Sequence, residues 1–168
     1  MTSISPNGFP TRPTVLGPEE QRAVWFLGAL VRVRTSGDAT AGSLAVVEHS
    51  GERGYGSPLH NHTRDEETFL VLEGELRVEV DGAATAAGPG VAAVLPRNLP
   101  HAFVVTSPHA RFLTVHTPAG FDEFTLAVGD PATSFDGPPP DAAPPDPAEL
   151  TRIAADYGIE ILGPPPAP

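Results

Sequence analysis

From residue 23 to residue 117, apolar and polar residues alternate in short runs, the period that a strand with one buried face requires. The run 23–34 is apolar early and alternating late, with Val31 and Val33 opposed to Arg32 and Arg34, and it predicts a first strand region whose end has an exposed face. A second strand is predicted over 43–49, followed by an approach loop over 51–58 in which Gly51, Gly54 and Gly56 leave the backbone pliable. The segment 75–80, Glu-Leu-Arg-Val-Glu-Val, alternates strictly and ends on Asp81-Gly82, a dipeptide suited to a tight hairpin. Gly88-Pro89-Gly90 marks another reversal before 91–95. His101 then opens a strand that carries Phe103 and Val105 on the same face, and 111–117 follows the Ser107-Pro108 turn. Roughly eight to ten short strands with no long helical period between them predict an all-β chain closed into an antiparallel double-sheet barrel, because closure hides strand edges.

The flanks read differently. Residues 1–22 carry Pro6, Pro10, Pro13 and Pro18 with Gly8 and Gly17 between them, which predicts an extended N-terminal arm. From residue 131 the composition shifts, and 137–145 is so rich in proline that it predicts an extended linker without a core of its own. A short C-terminal helix follows. Asp146 suits the N-cap, Pro147 the first helical position and Glu149 the third, while Leu150, Ile153, Ala154 and Tyr157 form one apolar stripe that ends at Gly158. The stretch 159–162 adds a strand or wedge, and 163–168 is expected to trail in solvent. The expected organisation is an arm (1–22), a barrel (23–130), and a linker, helix and tail (131–168).

Composition narrows the function classes. The chain has 168 residues and a formal net charge of -11, and its ten basic residues are all scattered arginines. Nucleic acid and anionic membranes need clustered positive charge, so neither is an expected partner. With no cysteine, a metal would have to be held by imidazole and oxygen. The N-terminus lacks a positive region followed by an apolar core, and no run approaches the roughly 20 apolar residues that span a bilayer, so a cytoplasmic location is expected.

The candidate chemistry lies in two stretches. His60 and His62 are two apart, so on a strand they share a face about 7 Å apart and can both reach one ion, with Asn61 facing away. The polar segment 63–66 reverses the chain, and the next alternation puts Glu67 on one face beside Phe69 and Val71, returning a carboxylate to the imidazoles. Glu66 is a rival for that role. His101 offers a third imidazole, placed by a turn that Pro96 and Pro100 bracket and stiffen. Asn61-His62-Thr63 matches a glycosylation sequon but lies inside the proposed ligand strand of a chain without a secretory signal. His116, alternating with Phe112 and Thr114, reads first as a hydrogen-bonded core histidine and second as a residue lining substrate space. Phe69, Phe103 and Phe121 are either core aromatics or a substrate-lining wall. His49 and His109 read as ordinary surface or strand-end residues.

Together the two stretches resemble the two motifs of the cupin superfamily. Gly54, five residues, His60-x-His62, four residues, Glu67, six residues and Gly74 match the first motif. Gly90, five residues, Pro96-x-Asn98, two residues and His101 match the second. Two positions depart from the pattern. Asn98 stands where the family has glycine, a mild change because asparagine tolerates a left-handed conformation, and Val105 replaces a terminal asparagine. The likeness implies a double-stranded β-helix (jelly-roll) barrel with His60, His62, Glu67 and His101 as ligands of a divalent transition metal: Fe, Mn, Ni, Co or Zn. Within the superfamily the chain is similar to small single-domain cupins of the bacterial quercetin dioxygenase type. That likeness implies a dioxygenase acting with O2 on a small hydroxylated, enolisable aromatic compound, with Glu67 also taking the substrate proton. A redox-neutral cupin isomerase or cyclase and a non-catalytic small-molecule binder are the alternatives. The family also implies a homodimer.

Overall fold

The computed structural model describes residues 13–138 and 143–168, so the arm up to residue 12 and the centre of the proline-rich linker lie outside the described residues. The strands are β1 (Ala23–Phe26), β2 (Ala29–Thr35), β3 (Ala45–Glu52), β4 (Leu59–His62), β5 (Glu66–Glu73), β6 (Leu76–Val80), β7 (Ala83–Ala87), β8 (Ala92–Leu95), β9 (His101–Val105) and β10 (His109–Thr117). The helix α1 (Phe121–Val128), the two-residue strand β11 (Asp130–Pro131), the helix α2 (Pro147–Asp156) and the strand β12 (Ile159–Gly163) follow. They form two sheets, β11-β1-β2-β3-β10-β5-β8 and β12-β4-β9-β6-β7, in which every pairing is antiparallel. This is the expected all-β double-sheet barrel.

The expected alternation sets the inward faces. Glu67, Phe69 and Val71 of β5 are buried while Glu66, Thr68 and Leu70 are half-buried, and His60 and His62 of β4 are buried on either side of half-buried Asn61. Between the sheets, Phe69, Phe103 and Phe112 pack in a cluster with Val71, Leu76 and Val105. Burying each such side chain contributes roughly 2–3 kcal/mol. A second cluster joins Val24, Phe26, Val31 and Val47 to Phe124, Leu150, Ala154 and Ile159, which docks both helices and β12 on the barrel.

Several sequence expectations are corrected. The run 23–34 is a hairpin, not one strand region: Phe26 pairs with Ala29 across Leu27-Gly28, and both turn residues have positive φ, 52° and 82°. The Asp81-Gly82 turn joins β6 and β7 in the same way, with φ of 48° and 79°. Strand β3 runs on through Gly51 to Glu52, which shortens the approach loop. Helix α1 was not expected, although Phe121, Phe124 and Val128 have helical spacing. It is tied down by Asp122, whose carboxylate accepts from the Gly37 amide at 2.8 Å and the Gly120 amide at 3.1 Å. His49 is not a surface residue: it is buried in β3. The tail does not trail free, since the Leu59 amide donates to the Pro164 carbonyl at 3.3 Å and the Arg77 guanidinium donates to the carbonyl of Ala167. The C-terminal helix forms as expected, with the Asp146 carboxylate accepting from the amides of Ala148 and Glu149 at 2.9 and 3.0 Å.

Candidate metal centre

Three strands and one turn assemble the centre. His60 on β4 is directly opposite His101 on β9, and Glu67 on β5 is opposite His116 on β10. The turn before β9 is locked to β4, because the Asn98 amide donates to the His62 carbonyl at 2.7 Å. Asn98 has φ of 62°, the left-handed conformation that lets it stand in a glycine position.

His60, His62, Glu67 and His101 are all buried, and each offers one ligand atom within 4.8 Å of the others. His60 Nε2 is 3.2 Å from His62 Nε2, and Glu67 Oε2 is 3.0 Å from His101 Nε2 and 3.4 Å from His62 Nε2. The other ring nitrogens are committed elsewhere. His60 Nδ1 is 2.8 Å from the Pro58 carbonyl, His101 Nδ1 is 2.9 Å from the Leu99 carbonyl, and His62 Nδ1 is 3.1 Å from Asp65 Oδ1. Carbonyl and carboxylate oxygens only accept, so the three Nδ1 atoms carry hydrogen and donate. In the neutral rings the three Nε2 lone pairs then face one another and a carboxylate oxygen. Such a group of acceptors is repulsive unless positive charge sits among them, and nitrogen and oxygen donors of this kind fit a divalent transition metal.

In the metal-free cluster the local electrostatics differ from ligand to ligand. Burial, with His101 and His62 nearby, pushes the His60 imidazole down to about 3, so it is neutral with its lone pair free. Burial acts on His62 in the same sense, but hydrogen bonds to Asp65 and Glu67 outweigh it and push that imidazole up to about 10. For Glu67, burial favours the neutral acid, yet hydrogen bonds to His101 and His62 hold the carboxyl well below its usual range. The rival Glu66 points outward, where its two oxygens accept from Arg97 at 2.7 and 2.8 Å.

Sequence reasoning missed a polar chain behind this cluster. Asp65 bridges His62 and His116, with Oδ2 at 2.8 Å from His116 Nδ1, and both hydrogen bonds hold its carboxyl down to about 2 against the effect of burial. His116 Nε2 lies 3.0 Å from Thr114 Oγ1, which is 3.1 Å from His49 Nε2, and His49 Nδ1 is 2.8 Å from the Tyr55 hydroxyl. Asp65, three residues after a candidate ligand, was the available signal. His49 became visible only through its pairing with Phe112 across β3 and β10.

A narrow cavity of about 50 Å³ opens beside the cluster, with His60, Glu67, His49 and Tyr55 among its lining residues. Phe103 and Phe121 line it. Phe69 and His116 do not: Phe69 packs in the core between Phe103 and Phe112, and His116 stacks on Phe121 at 4.1 Å. Leu150 and Ala154 of α2 and Ile159 and Ile161 of β12 complete the wall.

The fold and this site define a small double-sheet β-barrel with a buried three-histidine, one-glutamate cluster that could hold a metal ion. Residues 47–116 match the cupin domain family, and the fold is that of a solved RmlC-like cupin. Over 102 residues, 61% of this chain, it is 30% identical to quercetin 2,3-dioxygenase of Bacillus subtilis (strain 168), and the match spans 30% of that relative's length. The fold is similar to that of KdgF from Halomonas sp., with a TM-score of 0.59 and 22% identity over 67% of this chain and 99% of that one. It is also similar to the polyketide cyclase RemF from Streptomyces resistomycificus, with a TM-score of 0.54 and 26% identity over 63% of this chain and 80% of that one. The nucleoside dehydratase Pac13 has a TM-score of 0.55 and 18% identity over 76% of this chain and all of its own. Among the described residues no helix is long and apolar enough to cross a membrane.

Proposed function

We propose that the protein is a metal-dependent cupin dioxygenase acting on a small hydroxylated, enolisable aromatic compound. The observation that carries this reading is the convergence of three imidazole nitrogens and one carboxylate oxygen at the wall of an aromatic-lined cavity, and the likeness to the Bacillus quercetin 2,3-dioxygenase supports the reaction. A divalent cation held by His60, His62, Glu67 and His101 would supply the charge that stabilises a deprotonated substrate hydroxyl. Glu67 is buried at the cavity wall, which places a carboxylate oxygen where it can take the hydroxyl proton. Phe103 and Phe121 hold the aromatic body and exclude water. A flavonol-sized compound is larger than this cavity of about 50 Å³, so its binding requires part of the wall to move.

A redox-neutral cyclisation on the same site is the second reading, favoured by the likeness to the polyketide cyclase RemF. Protein purified without an affinity tag is assayed for bound metal by elemental analysis, then for turnover of quercetin and related phenols with and without O2. The dioxygenase reading expects stoichiometric metal and oxygen uptake equal to substrate loss. Turnover undiminished under strict anaerobiosis would overturn it in favour of the redox-neutral reading.

A further inference from the structure

Two buried residues of the cavity wall, His49 and Tyr55, have no part in holding a metal. Both nitrogens of His49 are engaged, one by the Tyr55 hydroxyl at 2.8 Å and one by Thr114 Oγ1 at 3.1 Å. The ring is clamped flat on Phe112, 4.8 Å between centroids and 1° from parallel, so it cannot swing toward a ligand without breaking that stack. Burial keeps it neutral, with its pKa held down to about 3, so it has one N–H and one lone pair to distribute between two hydroxyls. A phenol is a stronger acid than an aliphatic alcohol, and the lone pair takes the stronger donor. Tyr55 therefore donates to His49 Nδ1, and His49 Nε2–H donates to Thr114. Thr114 is left to donate to His116 Nε2, whose Nδ1–H is already directed at Asp65. The chain then runs in one direction from the cavity to the Asp65 carboxylate, with Glu67 Oε1 3.5 Å from His116 Nε2.

That direction decides what the cavity can recognise. The Tyr55 phenol has spent its only hydrogen, and its oxygen keeps the capacity to accept. The Ser57 hydroxyl oxygen on the same wall already accepts from the Phe103 amide at 3.2 Å. We propose that Tyr55 is a substrate-contacting residue whose oxygen accepts a hydrogen bond from a hydroxyl of the bound compound, and that His49 and Thr114 are positioning residues that fix its polarity. This deepens the function proposed above, since it requires that a hydroxylated compound occupies the cavity. It makes a compound with one hydroxyl at the candidate metal ligands and a second one free to donate the preferred class. A site built this way rejects the analogue lacking the second donor, because a buried acceptor would be left unpaired.

The test uses the full chain loaded with zinc, which suits magnetic resonance, and 4-nitrocatechol as a chromogenic probe. Long-range nitrogen-15 correlations of His49 are expected to show hydrogen on Nε2 and a bare Nδ1, and the opposite tautomer overturns the proposal. By absorbance titration, Tyr55→Phe is expected to weaken 4-nitrocatechol binding about tenfold, the scale of one hydrogen bond to a buried acceptor, with zinc content unchanged. Thr114→Val is expected to weaken it in the same direction and Thr114→Ser to restore it, a pattern that simple packing loss would not give. Equal affinity of wild type and Tyr55→Phe at full zinc content overturns the Tyr55 assignment alone. Failure of the zinc-loaded wild type to bind 4-nitrocatechol overturns both that assignment and the reading of the cavity as a site for hydroxylated aromatics.

Discussion

At the scale of single residues, the two glutamates 66 and 67 differ only by which way a strand turns them. Glu67→Gln keeps the shape but removes the anion and puts an amide group among imidazole lone pairs. It is expected to lower metal content at least tenfold in elemental analysis, the range seen when coordination is disturbed, whereas Glu66→Gln, exposed beside Arg97, leaves it unchanged. Proton linkage gives a second expectation. His49 and His60 are held down to about 3 from 6.5, so in the metal-free protein their contribution to stability is lost as pH falls from about 6.5 toward 3. Asp65, held at about 2 against 3.8, adds a further loss below about 4. His62, pushed up to about 10, works the other way: its contribution is complete below 6.5 and lost as pH rises through 10. The melting temperature of metal-free protein measured across pH should therefore fall on both sides of neutrality and begin to fall on the acid side near 6.5, before any carboxylate titrates. Gly74 closes the first motif for a local reason. It has φ of 75°, and a Cβ there would drive into the carbonyl of His109. Gly74→Ala should cost about 2 kcal/mol or more, read from denaturant unfolding.

At the scale of elements, legibility followed the strength of the local signal. Asp81-Gly82 announced its hairpin because both residues suit positive φ, whereas the Leu27-Gly28 turn lay hidden in an apolar run, since leucine is placed in a left-handed conformation only by the pairing of β1 with β2. Helix α2 was legible because its cap, first-turn proline and apolar stripe all agree. Helix α1 is eight residues long, and its N-terminus is held by Asp122, which also reaches the distant amide of Gly37, a contact that local sequence does not encode. Asp146→Ala removes two cap hydrogen bonds and is expected to destabilise α2 by about 1 kcal/mol. The loss should appear as faster amide exchange in α2, with β5 and β9 unaffected.

At the scale of the whole molecule, the C-terminal segment joins the barrel to its site. β12 pairs along β4 with Ile159 opposite His62 and Ile161 opposite His60, and the Gly158 carbonyl accepts from the Thr63 amide and hydroxyl at 2.8 and 2.9 Å. Both α2 and β12 lie outside the matched segment 47–116, yet they wall the cavity. Deleting residues 143–168 should bare the edge of the strand that carries two candidate ligands and open the cavity. The expected result is a lower melting temperature together with weaker retention of metal on dialysis, and equal retention would mean that the barrel holds the cluster unaided. The homodimer implied by family likeness remains a proposal, which light scattering at micromolar concentration tests directly.

The barrel, its inward faces and the four candidate ligands were set by the sequence itself, because strand period, turn residues and motif spacing are local and each strand buries one face whatever its partner. Which aromatics reach the cavity, the chain from Tyr55 to Asp65 and the C-terminal wall were decided only in three dimensions. Each of these depends on the register between strands far apart in the chain, such as Phe112 against His49 or Ile159 against His62. Register is a property of pairs of strands, and a pattern read along one strand does not contain it.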